Sequence, residues 1–287
     1  MSLNLPHIFG DPATHLVKTG GVIRDPDGLT PLQPIVDYLG DWHRGVPVEY
    51  DISYLGDDRR IRGYAYNEIM RGIQAHPMGP RWIRQHIAAI ACWPDTSDAL
   101  AREVLARNGD KYVMERPQDL SHLRGVAFLP GTNKLGDLDH DRLATLVDAG
   151  WCIKPHPLTH PRSLAALRYR YGPARVLGKR VSGWDVYRAS TEVATTHNTE
   201  FGLIALLEGK PWRDLEHDAR NILPTSYCRF FELALMADGM GVTPRSLLLR
   251  ALNCPFSGLV FPWQPDWRAR LDSFFDFFAG APHGRNE

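Results

Sequence analysis

Short apolar runs alternate with segments of helical spacing from about residue 111 onward. "KYVMER" (111–116) and "GVAFLPG" (125–131) read as strands, and "CIKPHP" (152–157) as a third. Between them, "DHDRLATLVDAG" (139–150) predicts an amphipathic helix capped by Asp139, and "HPRSLAALRYRYG" (160–172) a further helix. "WDVYRAS" (184–190) and "VATTH" (193–197) border a second strand-to-helix signature, "THNTEFGLIALLEGKP". In it Leu203, Leu206 and Leu207 form an apolar helix face, and Gly209 marks the stop. Strands alternating with helices of about ten residues predict βαβ units and a parallel sheet over roughly 111–211.

The first third reads less regularly. "LQPIVDYLGDWH" (32–43) fits a short helix, and "VPVEYDISYLG" (46–56) alternates like a strand. "YAYNEIMRGIQAH" (64–76) and "PRWIRQHIAAIA" (80–91) begin like helices, although "IAAIACW" (87–93) fits a buried strand equally well. "PDTSDALAREVLARNG" (94–109) predicts a helix with a polar start and a glycine stop. Beyond the alternating region, helices are expected over 226–240, 243–252 and 265–280. In the last, Phe274, Phe275, Phe277 and Phe278 span both faces, which fits a terminal helix docked on the body. The division expected is 1–120, 121–264, and a terminal helix with its tail over 265–287.

Bulk properties narrow the function classes. Lys plus Arg and Asp plus Glu both number 33 in 287 residues, for a formal net charge of zero. A protein that coats DNA or binds anionic membranes is usually basic, so neither is favoured, although a local basic patch remains compatible. Arg59, Arg60, Arg62, Arg71, Arg81 and Arg84 are one source of such a patch, or are scattered surface arginines. Cys92, Cys152, Cys228 and Cys254 lie far apart, and no zinc-type spacing occurs. Cys152 is expected as a buried thiol. "MSLNLPHIFG" lacks the basic region and apolar stretch of a signal peptide, and no run reaches the length of a membrane span. The cytoplasm is the expected compartment.

Candidate chemistry gathers at expected strand ends. In "KPHPLTHP", His156 can donate to a phosphate oxygen and Lys154 can add positive charge. Both share a face if the strand continues that far, but Pro155 and Pro157 can also end it. His160 reads as the cap of the next helix. Thr195, Thr196, His197, Asn198 and Thr199 precede a helix start, where hydroxyls and backbone N–H groups can hold an anion. Gly202 permits close approach of a backbone or ligand. A plain cap at Asn198 or Thr199, with Glu200 in the first turn, explains the same residues. Gly131, Thr132, Asn133 and Lys134 can bind phosphate or sugar, or form an ordinary turn; no P-loop order is present. Asp137, Asp139 and Asp141 do not complete a calcium-loop pattern, and no metal is assigned. Asp57 and Asp58 can supply a base to a sugar hydroxyl, or form a solvated turn.

"KPHP" followed by "TTHNTEFGLIALLEGKP" resembles the nucleotide-sugar-binding half of GT-B glycosyltransferases, nearest to bacterial capsule and surface-polysaccharide enzymes of the Kdo-transferring kind. His156 and Pro157 match the family's HP motif. Thr196, Asn198, Thr199, Gly202, Ala205, Leu206, Gly209, Lys210 and Pro211 match its later segment. Glu200 stands where a small hydroxyl residue is common, and Ile204 where a glutamate is usual. The likeness covers roughly 126–211.

It implies an α/β, GT-B-like fold: two Rossmann-like domains with parallel sheets, a cleft between them, and C-terminal helices packing back on the body. The acceptor would lie on the N-terminal side and the donor on 121–264. His156, with Lys154 and the helix start at Asn198 and Thr199, would hold the donor phosphate without a metal or cofactor, and loop 131–134 would line the same cleft. Asp57 or Asp58 would be the base if the reaction inverts. The implied function is a glycosyltransferase of polysaccharide biosynthesis, moving a sugar from a nucleotide sugar to a glycan, a lipid-linked sugar or a hydroxymethylated DNA base. A nucleotide-sugar epimerase, a phosphate-ester hydrolase and a non-catalytic nucleotide-sugar-binding protein remain alternatives. The missing glutamate at Ile204 favours the last. No GxSxG elbow and no GxGxxG fingerprint is present, which disfavours serine-hydrolase and dinucleotide chemistry.

Overall fold

A computed structural model of the chain describes residues 61–67, 72–77, 80–106, 119–197, 199–216, 228–261 and 263–279. Along the chain come strands β1 (Ile61–Asn67) and β2 (Gly72–Pro77), helices α1 (Pro80–Ala91) and α2 (Ala99–Ala106), and strand β3 (Gly125–Phe128). There follow α3 (His140–Asp148), β4 (Cys152–Lys154), α4 (Pro161–Tyr171), α5 (Gly183–Ala189), β5 (Glu192–Thr195) and α6 (Glu200–Glu208). The last are β6 (Trp212–Asp214), α7 (Cys228–Met236), α8 (Pro244–Asn253), β7 (Leu259–Val260) and α9 (Trp267–Ala279). Two compact units result: Met1–Asn108 with Met236–Glu287, and Gly109–Leu235. Residues 236–264, read from sequence with the second domain, thus group with the first. Arg250 explains part of this, because its Nη1 donates to the carbonyls of Ala91 and Trp93, and Asn253 Nδ2 donates to that of Ser97.

The Gly109–Leu235 unit is the α/β part. Among the described residues its four strands are all parallel, in the order β4-β3-β5-β6. The chain adds β4 on one side of β3 and then β5 and β6 on the other, so the winding reverses between β3 and β5. In open parallel sheets this reversal leaves a crevice outside the carboxyl ends of the strands. Register brings Lys154, Phe128, Thr195 and Asp214 level across the sheet. The neighbouring row, Ile153, Ala127 and Ala194, joins a core cluster with Leu143, Leu146 and Val147 of α3 and Leu167 and Tyr171 of α4. Phe128 instead stacks on Phe201 of α6, with ring centroids 4.3 Å apart, and Trp184 and Tyr187 of α5 pack around the same ring.

Local signals set the helix ends. Asp139 caps α3 by accepting from the N–H groups of Asp141 and Arg142, as the sequence predicts. Lys134 pairs with Asp137 at 3.5 Å, so two of the three aspartates in this loop have local roles. Cys152 is buried, as expected. Helix α6 is apolar on every side, and Phe201 through Leu207 are all buried, the pattern of a helix enclosed by its own protein. Gly209 closes it in the left-handed region at φ 78°.

The other unit corrects two expectations. Residues 64–76, read as a helix, contain parts of β1 and β2, which pair antiparallel from Asn67 against Gly72 outward. The stretch carries β-formers (Ile61, Tyr64, Tyr66, Ile73) and the helix-poor Gly63 and Gly72, and this composition outweighs a weak helical spacing. Strands joined by so short a connection pair antiparallel. With β7 on β2, the sheet here is a three-stranded antiparallel one, β1-β2-β7, among the described residues, not the parallel sheet expected of a Rossmann-like half. The ambiguous run 87–93 resolves as helix through Ala91. Buried Arg270 ties α9 down by donating to the carbonyls of Leu259, Leu252 and Cys254. The segments read at 32–43, 46–56 and 111–116 lie outside the described residues.

Gly202 is a tight point of the parallel-sheet unit. A Cβ there would run into Thr195 Oγ1 and lie 3.0 Å from the Phe231 ring. Alanine favours a helix by up to about 1 kcal/mol over glycine, but both obstacles are buried and cannot yield cheaply. Gly202→Ala is therefore expected to destabilise the protein by about 1–3 kcal/mol. Gly136→Ala, with nothing within 4 Å of the new atom, should stay within about 0.5 kcal/mol of the parent. The midpoint of urea unfolding measures both.

Candidate functional site

Because the strands are parallel, the segments after β3, β4, β5 and β6 emerge at one end of the sheet. After β3, the chain passes through Gly131 into a 3-10 turn, Thr132–Asp137. Thr132 Oγ1 accepts from the backbone N–H of His160 at 2.8 Å, which ties this turn to the start of α4. At its other end, Leu138 bridges to Glu216, and the Asp139 N–H reaches the Leu215 carbonyl at 2.8 Å. The turn therefore leaves β3 and is fastened beside β6, two strands away. Gly131 and Lys134 are half-buried there and Thr132 is exposed.

After β4, the prolines end the strand before His156, so Lys154 and His156 do not share a strand face. The strand ends at Lys154, and His156 opens a turn in which the Thr159 N–H bonds its carbonyl at 2.9 Å. Lys154 is 3% exposed, and its Nζ donates to the carbonyls of Pro155 (2.8 Å) and Lys179 (3.1 Å). Its ammonium thus fastens two loops together. Burial lowers its pKa to about 8. His156 is half-buried, and its Nδ1 accepts from the Leu158 N–H at 3.1 Å. An accepting Nδ1 places the proton of the neutral ring on Nε2, the nitrogen suited to donate to an anion. His160 caps α4, as read from sequence, by accepting from the Arg162 N–H.

After β5, Thr196 and Thr199 are buried, with their hydroxyl oxygens 3.2 Å apart. Thr199 is the N-cap residue of α6 but makes no side-chain cap bond, because its hydroxyl meets Thr196 instead. The half-buried Glu200 begins the helix, at the end its dipole favours for an acid. Gly202 admits a side chain and not a ligand: its close neighbours are Thr195 and Phe231. Ile204, where the resemblance expects a glutamate, is 1% exposed inside the core. Asn198, Asp57 and Asp58, and the side chain of Asn133, lie outside the described residues.

Two carboxylates that the sequence reading passed over complete this end. His197 is 3% exposed and stacks on Phe231, with centroids 5.2 Å apart. Its Nε2 lies 3.0 Å from Asp214 Oδ1, and its backbone N–H donates to Glu216 Oε1 at 2.9 Å. Burial raises the pKa of Glu216, and the His197 N–H partly offsets this. Asp214 Oδ1 also accepts from the Glu216 N–H. His197 therefore locks the β5 loop onto the end of β6. The signal lay in "WRDLE", which follows "GKP" directly, because every strand of a parallel sheet delivers its next residues to this edge. Among the described residues, no group of three or more His, Cys, Asp or Glu is placed to hold a metal ion, and no helix is long and apolar enough to cross a membrane. No family model, curated protein or solved structure matches the chain.

Lys154 carries a pH signature. Its folded pKa of about 8 lies below the ordinary 10.5. Between these values the unfolded chain binds more protons than the folded one, so stability rises with pH through this window. The span corresponds to at most about 3 kcal/mol. Lys154→Met, similar in length and uncharged, should remove that rise. Lys210, also lowered by burial, contributes with the same sign in both proteins. The difference between parent and variant urea midpoints, followed from about pH 7.5 to 10, isolates Lys154.

Proposed function

We propose that the Gly109–Leu235 unit binds the phosphate-bearing part of a nucleotide sugar, and that the protein transfers the sugar to a hydroxyl acceptor as a GT-B-type glycosyltransferase. One observation carries this reading. The resemblance positions in loop 131–134, at His156 and at Thr196–Thr199 all follow strands of one parallel sheet, at one end, and two of these loops flank the strand-order reversal.

In this reading the α6 N-terminus and the Thr196 and Thr199 hydroxyls receive the leaving phosphate, with His156 Nε2 as a further donor. Lys154 and His197 act as positioning residues: the first holds the β4 loop by its carbonyl bonds, the second the β5 loop through Asp214 and Glu216. The acceptor oxygen bonds to the anomeric carbon as the bond from that carbon to the phosphate oxygen breaks. The nucleotide leaves with the electron pair, and Asp57 or Asp58 takes the acceptor proton. The acceptor is a glycan, a lipid-linked sugar or a modified base.

A second reading, a nucleotide-sugar-binding protein without turnover, is favoured by Ile204. Where the resemblance expects a glutamate, α6 turns an aliphatic side chain into the core.

Thermal unfolding with UDP, GDP, CMP, ADP and their common sugar conjugates tests both. A ligand at about 100 times its Kd stabilises by about 2.7 kcal/mol, a shift of several degrees for a chain of this size. One nucleotide class should give this shift, and His156→Ala and Asn198→Ala should remove it. Release of free nucleotide from the stabilising conjugate separates transfer or hydrolysis from binding alone. Absence of a shift with every member would overturn the donor-site reading.

A further inference from the structure

The neutral total charge conceals a one-sided distribution. Between Asp148 and Asp185 the chain has no Asp or Glu, but it has Arg162, Arg168, Arg170, Arg175, Lys179 and Arg180 in addition to the buried Lys154. Helix α4 carries the first three of these arginines. Its inward side is Leu167 and Tyr171, both buried, with Leu164 packed on the same core. Its outward side is Arg162, Ala165, Ala166 and Tyr169, flanked by Arg168 and Arg170, all exposed. Among the described residues, no carboxylate forms an ion pair with Arg162, Arg168, Arg170 or Arg175. Tyr169 is 94% exposed, so its ring adds almost nothing to the core. The two alanines leave it standing above the helix surface between cations.

We propose that the outward face of α4 is a docking surface for single-stranded nucleic acid, with the arginines on phosphates and Tyr169 stacking on a base. Arg162 and Arg170 stand about 12 Å apart along the helix axis, a span that reaches more than one phosphate of an extended strand. Guanidinium groups suit phosphate oxygens, and an exposed aromatic ring between them offers a base the stacking platform that a polyanion without bases cannot use. A membrane surface fits less well. An interfacial helix needs a bulky apolar face to insert, and the apolar face of α4 is already packed against its own sheet. The inference does not rest on what the crevice at the strand ends binds.

The test is fluorescence anisotropy of the full chain with a labelled oligothymidylate of about 20 nucleotides, longer than the site of a single small domain. If the three arginines of α4 each neutralise a phosphate, raising salt from about 50 to 200 mM should weaken binding about 20-fold. Arg168→Glu with Arg170→Glu should weaken it at least tenfold, and Tyr169→Ala at least fivefold, about the loss of one stacked base. These side chains are exposed, and the melting temperature checks that each variant is folded. Arg168→Gln with Arg170→Gln provides a milder pair. No binding, binding unchanged by the arginine variants, or binding matched by polyphosphate and indifferent to Tyr169→Ala would each overturn the proposal. So would capture of anionic phosphatidylserine vesicles that the oligonucleotide does not displace.

Discussion

The seating of α6 on β5 at Gly202 governs the geometry of the strand ends. The missing Cβ lets the helix backbone come down onto Thr195, whose hydroxyl also accepts from the Trp212 indole at 2.9 Å. Thr195 is thereby held between α6 and β6. At this separation, every side chain from Phe201 to Leu207 goes into the core, and the helix keeps no solvent face. The cost falls at Ile204, where no polar group can be presented to the crevice. The return is a helix start fixed at the end of β5, with its first backbone N–H groups directed beyond the sheet.

The polar residues level with Phe128 share a logic that differs from ligand binding. Lys154, Thr195 and Asp214 occupy one row, and each is spent on the protein itself. Lys154 goes to two carbonyls, Thr195 to an indole, and Asp214 Oδ1 to the Glu216 N–H, with His197 Nε2 3.0 Å away. Buried polar groups must find such partners or carry a desolvation penalty of about 1–3 kcal/mol each. Here the partners lie in the loops, so satisfying the strand ends also fixes where the loops go. A ligand is left to the outer layer: the turn after β3, the β4 loop at His156 and the α6 start.

How much of this was legible in the sequence depended on distance along the chain. Asp139 before α3, His160 before α4 and Gly209 after α6 act within a few residues, and each end is where its signal predicts. The run at 125–131 gave β3 for the same reason: four consecutive buried residues need no partner to be recognised. The hairpin at 61–77 was misread because its β-formers and a loose helical spacing compete within one window. Strand β6 is three residues long, too short for any period, so the signal of Asp214 and Glu216 was confined to their place directly after "GKP". Lys154 shows a deeper limit. A lysine at a strand end suits a phosphate and a carbonyl equally well, and only the register and the fold of the Lys179 loop decide between them.

The basic stretch around α4 has a second physical explanation that must be weighed. Among the described residues, strand β4 is at the edge of its sheet, and charged flanks discourage edge strands from pairing with other chains. Part of that edge is already covered, since Val176 bridges to Ile153 and the Leu177 N–H bonds the Ile153 carbonyl at 2.9 Å. Protection of what remains would place charge beside the strand, near Arg175, Lys179 and Arg180. It does not account for Arg162, Arg168 and Arg170 on the far side of a helix whose inner face is packed on the sheet. Nor does it require an aromatic ring such as Tyr169, which is 94% exposed. Edge protection therefore explains the cations that follow α4, and leaves those upon it to a partner outside the chain.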